Sequence, residues 1–259
     1  MSSTPPMSRR QLLATAAVGS LTSMTGIPGI ARTEAATFVL VHGAWHGGWC
    51  WKKLMPLLRV GGHQVLAPTM TGLGERAHLL GPEVDLDTHI RDIAAVFECD
   101  DLVRVVLVGH SYGGMVITGV AARVPERIST LVYLDAFLPD DGKAVKDYAP
   151  LPPTRADGWR VPPPGPPSSW GVTDARDVAW MTSRVGDQPL KTFTQPAHGS
   201  TTIPASSQNF IQCTEAPFFT EAADRAKRRG YKHHELLSAG HDAMITEPAM
   251  LASILLGLV

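Results

Sequence analysis

The chain is short of charge, of cysteine and of long apolar runs, and each shortage removes a class of function. Its 259 residues carry 23 lysines and arginines against 24 acidic residues, a net charge of −1. Beyond the first few residues there is no basic run or stripe. Without that electrostatic footprint no nucleic-acid partner is expected. The three cysteines, Cys50, Cys99 and Cys213, are scattered and form no C-x-x-C pair. That excludes a disulfide framework and a thiolate zinc site, so they are expected to act as small buried hydrophobes, with one disulfide at most. The most apolar N-terminal stretch, from Leu12 to about Ile30, is interrupted by Gly19, Thr22, Ser23, Gly26, Pro28 and Gly29. It makes a poor membrane span. What the chain does have is 44% hydrophobic content, ample for one well-buried core.

The N-terminus reads as an address. Ser8-Arg9-Arg10-Gln11-Leu12-Leu13 is a twin-arginine pattern, followed by the weakly apolar stretch and by small residues at Ala31 and Ala35-Ala36 that suit cleavage. Residues 1–36 are therefore expected to be a twin-arginine-type signal peptide. The mature chain, residues 37–259, is then exported to the periplasm or secreted, with no stable membrane span after the signal is removed.

From residue 37 onward, strand and helix patterns alternate. Residues 37–42 form a continuous apolar run, as expected of a strand buried on both faces of a parallel sheet. Further strands are expected at 64–67, 104–109, 130–134, 208–213 and 231–237. Helices are expected at 49–60, 86–97, 115–123 and 218–229. A last helix begins near Pro248, with Met250, Ile254, Leu255 and Leu258 on one face. Such alternation argues for a mostly parallel, doubly wound α/β sheet. Between residues 139 and 202 the composition changes. This stretch holds most of the prolines, with Trp159, Trp170 and Trp180. Proline density forbids a long helix in its first part, whereas residues 174–185 suit a short one. It is the pattern expected of a cap over a site.

The segment with the most chemical content is Val105-Val106-Leu107-Val108-Gly109-His110-Ser111-Tyr112-Gly113-Gly114. An apolar strand ends in G-x-S-x-G and a helix follows at once, the context of a nucleophile elbow. The sharp turn strains the backbone at Ser111, and a Cβ at Gly109 or Gly113 would strike the neighbouring strand or helix. A serine hydroxyl needs a base to become a nucleophile. Of the ten histidines, His241 in Ala239-Gly240-His241-Asp242 sits on the loop after the last strand, preceded by small residues that permit a tight turn. His233 and His234 lie at the wrong end of that strand.

An imidazole base in turn needs a carboxylate to fix its tautomer. Asp135 ends the apolar run Leu131-Val132-Tyr133-Leu134, one helix and one strand past Ser111. An unpaired charge is expensive there. Glu215, after the strand at 208–213, is the alternative, and Asp242 points elsewhere if the turn is tight. For an oxyanion, the amides of Ala44 and Tyr112 are the expected donors, Ala44 lying in the Gly-rich turn Val41-His42-Gly43-Ala44-Trp45-His46-Gly47-Gly48-Trp49. His42 and His46 have no carboxylate or cysteine at ligand spacing and are expected to organise that turn. No metal and no cofactor are expected.

These three segments resemble the α/β-hydrolase superfamily, and more closely the plant methylesterase and hydroxynitrile lyase group with its bacterial esterase relatives. The resemblance covers residues 37–259. It implies the α/β-hydrolase fold with a cap at 139–202, and a serine esterase that hydrolyses small carboxylic esters through an acyl-enzyme. Two departures matter. The lyases have a threonine where this chain has Gly43 and a lysine where it has Asp242, which favours the esterase branch over lyase-type or other non-ester chemistry. The plant members place their acid after the strand equivalent to 208–213, where this chain has no Asp. A ligand-binding receptor with negligible turnover is the remaining reading from another class.

Overall fold

A computed structural model describes Met1 and residues 35–199 and 201–259. The paired arginines of the expected signal lie outside the described residues. The described residues hold eight strands: β1 (Thr37–Val41), β2 (Gln64–Leu66), β3 (Val105–His110), β4 (Ile128–Leu134), β5 (Arg160–Val161), β6 (Gln188–Pro189), β7 (Gln208–Cys213) and β8 (Lys232–Leu236). Six of them form one sheet in the order β2-β1-β3-β4-β7-β8, and every pairing is parallel. The helices are α1 (Met55–Val60), α2 (Leu86–Cys99), α3 (Gly113–Arg123), α4 (Ala175–Thr182), α5 (Lys191–Thr194), α6 (Thr220–Arg228), α7 (Ala243–Thr246) and α8 (Pro248–Leu256).

Alternation along each strand divides the core in two. Val105 and Leu107 of β3, with Leu131 and Tyr133 of β4, pack into one cluster that contains Ile90, Ile93 and Phe97 of α2 and Val116 and Val120 of α3. Val106, Val108, Val132 and Leu134 face the other way, against Leu58 of α1, Met244 of α7 and Leu251 and Leu255 of α8. Strands buried on both faces have no polar side to alternate, which is why β1 and β3 read as unbroken apolar runs.

The described residues between 139 and 202 hold β5, β6, α4 and α5 with short 3-10 turns, and they pack rather than dangle. Trp170 stacks on Trp45, with ring centroids 6.0 Å apart, and Trp180 meets Trp49 edge-on at 5.1 Å. No helix among the described residues is long and apolar enough to cross a membrane.

Three local expectations need correction. Residues 49–60 are not one helix but a 3-10 turn, Gly48–Trp51, then α1, with Pro56 in its first turn where a missing N–H costs nothing. Cys99 is exposed at the end of α2, unlike the buried Cys50 and Cys213, and all three thiols are free. On α8 the buried face is Leu251, Ala252 and Leu255, and Met250 is 41% exposed. An apolar helix offers no polar stripe by which to tell its faces apart.

His89 is buried in the core without a sequence feature that marks it. His89 of α2 donates from Nε2 to the Thr71 carbonyl (2.9 Å) and takes the Tyr112 hydroxyl proton at Nδ1 (3.0 Å). Burial holds His89 at a pKa of about 4 and His42 at about 3. Both are neutral in the folded protein but titrate near 6.5 once exposed. Below pH 6.5 the unfolded chain therefore binds protons that the folded chain refuses, and stability falls as pH falls towards 4. Each contributes a slope of up to ~1.4 kcal/mol per pH unit. Urea denaturation between pH 7 and 4.5 should show this loss, and His89→Gln should remove about one proton of uptake from it. Separately, Leu107→Ala, in the centre of the sheet, should cost ~2–5 kcal/mol in the same assay at neutral pH.

Candidate active site

β3 and β4 run in parallel with His110 opposite Leu134, so the next residues, Ser111 and Asp135, leave adjacent strands side by side. Both do so in the left-handed region, at φ 53° and φ 39°, where residues with a Cβ are uncommon. Three hydrogen bonds hold the Ser111 turn. Its N–H donates to the Leu134 carbonyl (3.2 Å), and its carbonyl accepts from Gly114 (3.0 Å) and Phe137 (3.1 Å). The glycines are required by space. A Cβ on Gly109 would lie 2.6 Å from the Gly113 oxygen, and one on Gly113 would lie 2.8 Å from the Val41 oxygen.

Asp135 is fully buried. Its Oδ2 lies 2.6 Å from Nδ1 of His241, and its Oδ1 accepts the Cys213 N–H at 3.3 Å. Burial pushes the Asp135 carboxyl up; the His241 imidazole and the Cys213 amide pull the other way. Because the carboxylate only accepts, Nδ1 of His241 carries the proton and Nε2 is left free as a base. Phe219 stacks on the imidazole at 5.4 Å. Gly240 is needed because the histidine loop presses on the segment above it: a Cβ there would lie 2.6 Å from the Gly171 Cα. Glu215 is exposed, and its backbone N–H bonds the Ala239 carbonyl (3.0 Å). His233 and His234 are bound to Gln212 (3.0 Å) and Asn209 (3.1 Å).

The Gly-rich turn after β1 is organised by its histidines. His42 accepts the Met70 N–H at Nε2 (3.1 Å), which leaves Nδ1–H to donate to the Gly43 carbonyl (2.8 Å). That carbonyl and the Ala44 N–H belong to one peptide unit, so the bond strengthens the amide as a donor. Neither the Ala44 nor the Tyr112 N–H donates to another group among the described residues. Trp45 fastens the turn to the segment above: its N–H donates to Gln188 Oε1 (3.1 Å), its indole to the Val161 carbonyl (3.0 Å), and its carbonyl accepts from Gly186 (3.0 Å). Gln188 had no signal in the sequence, its partner being 143 residues away.

Ala44, Ser111, Tyr112 and His241 line one cavity of about 340 Å³. Its remaining walls are mainly apolar, aromatic rings alternating with aliphatic and proline side chains. Trp45, Trp170 and Phe193 form one ring cluster, and Phe137, Tyr148 and Phe219 another. The polar exceptions are Glu221 and Arg225, whose guanidinium lies over the Tyr148 ring at 4.7 Å. The structure thus brings Ser111, Asp135, His241, Ala44 and Tyr112 to one place and leaves Glu215 apart. His110, His241 and Asp242 also present ligand-type atoms within 4.8 Å of one another. Hydrogen bonding accounts for that grouping, since His110 Nε2 donates to the His241 carbonyl (3.0 Å) and His241 Nδ1 to Asp135.

The chain is 58% identical to a carbendazim hydrolyzing esterase of Nocardioides sp. (strain SG-4G) over 120 residues, 46% of this chain and 50% of that protein. The match therefore spans about half of that relative's length. It is 29% identical to salicylic acid-binding protein 2 of Nicotiana tabacum over 260 residues, covering 86% of this chain and 96% of the relative. Polyneuridine aldehyde esterase superposes with a TM-score of 0.72 at 25% identity, over 87% of this chain and 99% of that structure. The model of the alpha/beta hydrolase family matches residues 38–254, and the chain belongs to that family.

Proposed function

We propose that the protein is a serine esterase that hydrolyses small carboxylic esters through an acyl-enzyme, with Ser111, His241 and Asp135 as its triad. The observation that carries the reading is the 2.6 Å bond between His241 Nδ1 and a buried Asp135 carboxylate, with His241 and Ser111 lining the same cavity. His241 Nε2 takes the Ser111 proton as Oγ attacks the ester carbonyl carbon. The carbonyl electron pair moves to oxygen, and the resulting oxyanion is bound by the Ala44 and Tyr112 amides. The tetrahedral intermediate collapses, the C–O bond to the alcohol breaks, and His241 returns the proton to the leaving alkoxide. Water then repeats the sequence on the acyl-enzyme, releasing the acid and restoring Ser111.

Lyase-type chemistry is disfavoured by space as well as by sequence. A Cβ on Gly43 would lie 3.0 Å from both His110 Nδ1 and Ser111 Cβ, so a threonine there would crowd the nucleophile. The aromatic walls favour an ester with a flat aromatic acyl group and a small alcohol, because stacking adds to area burial. Carbendazim, which the Nocardioides relative is named for hydrolysing, is an obvious test compound. Export rests on the twin-arginine pattern at Arg9-Arg10, and periplasmic or extracellular action is part of the proposal.

Turnover of a short-chain p-nitrophenyl ester checks the assignment. Ser111→Ala should lower kcat by roughly a thousandfold or more, and Asp135→Asn by about a hundredfold to ten-thousandfold. Glu215→Gln should stay within about twofold of the parent protein. Full turnover by Ser111→Ala would remove the mechanism. A severe loss in Glu215→Gln alone would move the acid to the next strand. Among methyl esters, kcat/KM should be about tenfold higher or more for benzoate than for acetate, as one stacked ring contributes ~0.5–1.5 kcal/mol beyond its buried area.

A further inference from the structure

Behind the catalytic face lies a second group of titratable side chains, His46, His110 and Asp242, all fully or almost fully buried. Each comes from a different catalytic segment: His46 from the turn that carries Ala44, His110 from the residue before Ser111, and Asp242 from the residue after His241. Asp242 Oδ2 lies 3.3 Å from His46 Nε2, and its Oδ1, with no hydrogen-bond partner, lies 3.7 Å from His110 Nε2. The other nitrogen of His46, Nδ1, is 2.6 Å from the Ala44 carbonyl. A carbonyl only accepts, so Nδ1 carries a proton. Nε2 faces a carboxylate and carries one too. A ring that donates from both nitrogens is an imidazolium.

We propose that His46 and Asp242 form a buried imidazolium–carboxylate pair that fixes the oxyanion turn against the histidine loop, and that both are positioning residues for ester hydrolysis. The inference rests on the Ser111–His241–Asp135 reading. One end of the pair is bonded to the carbonyl of Ala44, the residue whose amide faces the oxyanion. The other end is the peptide neighbour of the base. A carboxylate buried as Asp242 is costs several kcal/mol unless compensated, and His46 is its one hydrogen-bonded counter-charge among the described residues.

The surroundings favour charge on both members. Burial pulls His46 down, but the charge and hydrogen bond of Asp242 outweigh it and leave His46 raised. Burial works against ionised Asp242, yet the charge and hydrogen bond of His46 hold its carboxyl below the usual range. The other groups facing the pair do not compete. His42 and His110 are kept neutral by burial, and the Cys50 and Cys213 thiols are pushed up by burial. Asp135 is already bonded to His241. The Trp49 ring stacks on His46 at 5.3 Å and suits a cation.

The sign of the pH effect follows. As pH rises through the raised pKa of His46, Asp242 is left as an unpaired buried charge, the turn loosens, and kcat falls along an alkaline limb. Steady-state and burst kinetics on a p-nitrophenyl ester test this. Asp242→Ala should lower kcat about 10- to 100-fold with KM within about threefold, because the oxyanion forms only after binding. Its p-nitrophenol burst should keep full amplitude at a slower rate. Asp242→Asn keeps the bridge, with the amide N–H donating to a now neutral His46. It should stay within about tenfold of the parent kcat and lose the alkaline limb. Three results would overturn the proposal: Asp242→Ala with parent kcat and pH profile and only a lower Tm, Asp242→Asn as impaired as Asp242→Ala, or Asp242→Asn with an unchanged alkaline limb. The near-isosteric Asp242→Asn decides the matter if Asp242→Ala does not fold. Ser111→Ala assayed alongside separates failure of the pair from failure of the triad, since retained activity there removes the triad whatever the Asp242 variants do.

Discussion

The site depends on one register, that of β3 against β4. Because His110 pairs with Leu134, Ser111 and Asp135 emerge from neighbouring strands at the same level. Each then turns through positive φ, so neither strand can continue. Positive φ at a residue with a Cβ costs roughly 1–3 kcal/mol and persists only where the surroundings over-determine it. Here the two turns restrain each other: Ser111 donates to Leu134, and Phe137, just past Asp135, donates back to the Ser111 carbonyl. The amide of Asp135 is tied in turn to Ile211 of β7. A slip of the pairing would part Ser111 from the carboxylate that bonds His241. The apolar residues on both faces of β3 and β4 make that slip expensive.

Much of this was legible in the sequence, for a physical reason. A strand buried on both faces must be apolar throughout, so β1, β3 and the inner half of β4 announce themselves. Ser111 is marked by two glycines that space alone demands. Asp135 is marked because a charge at the end of an apolar run needs a partner. The illegible features are those whose cause lies far along the chain. His46 and Asp242 are 196 residues apart, and Gln188 meets Trp45 across 143. No local pattern records such pairs. His89 carries no helix-breaking or capping signal, and its reason for being buried is the Tyr112 hydroxyl on another element. The 3-10 break before α1 was masked because residues 49–60 keep a helical spacing of apolar side chains across it.

The Trp45 contacts link recognition to chemistry. All three of its polar groups are spent on the segment between residues 139 and 202, while its neighbour Ala44 supplies an amide to the catalytic face. A side-chain change in that segment that shifts Gln188 or the 161 carbonyl therefore moves the Ala44 amide, the proposed oxyanion donor, as well as the pocket wall. Substrate preference and kcat are mechanically coupled in such an arrangement. Uniform binding and transition-state binding are not adjustable one at a time.

Electrostatics sets a further constraint on the same loops. Two buried carboxylates, Asp135 and Asp242, each have an imidazole within hydrogen-bond distance, that of His241 and of His46 respectively. In the proposed mechanism one imidazole must stay free to gain and lose a proton during turnover, and the other must stay charged to hold its carboxylate. Exchanging their partners would defeat both roles, because a His241 locked as an imidazolium cannot accept the Ser111 proton. Segregation is enforced by His110. Neutral and fully buried, it stands between the two systems, 4.5 Å ring to ring from His241 and 6.2 Å from His46, and bonds the His241 carbonyl. A charged side chain at position 110 would bias both imidazoles at once, which is the physical reason for a buried, neutral ring there just before Ser111.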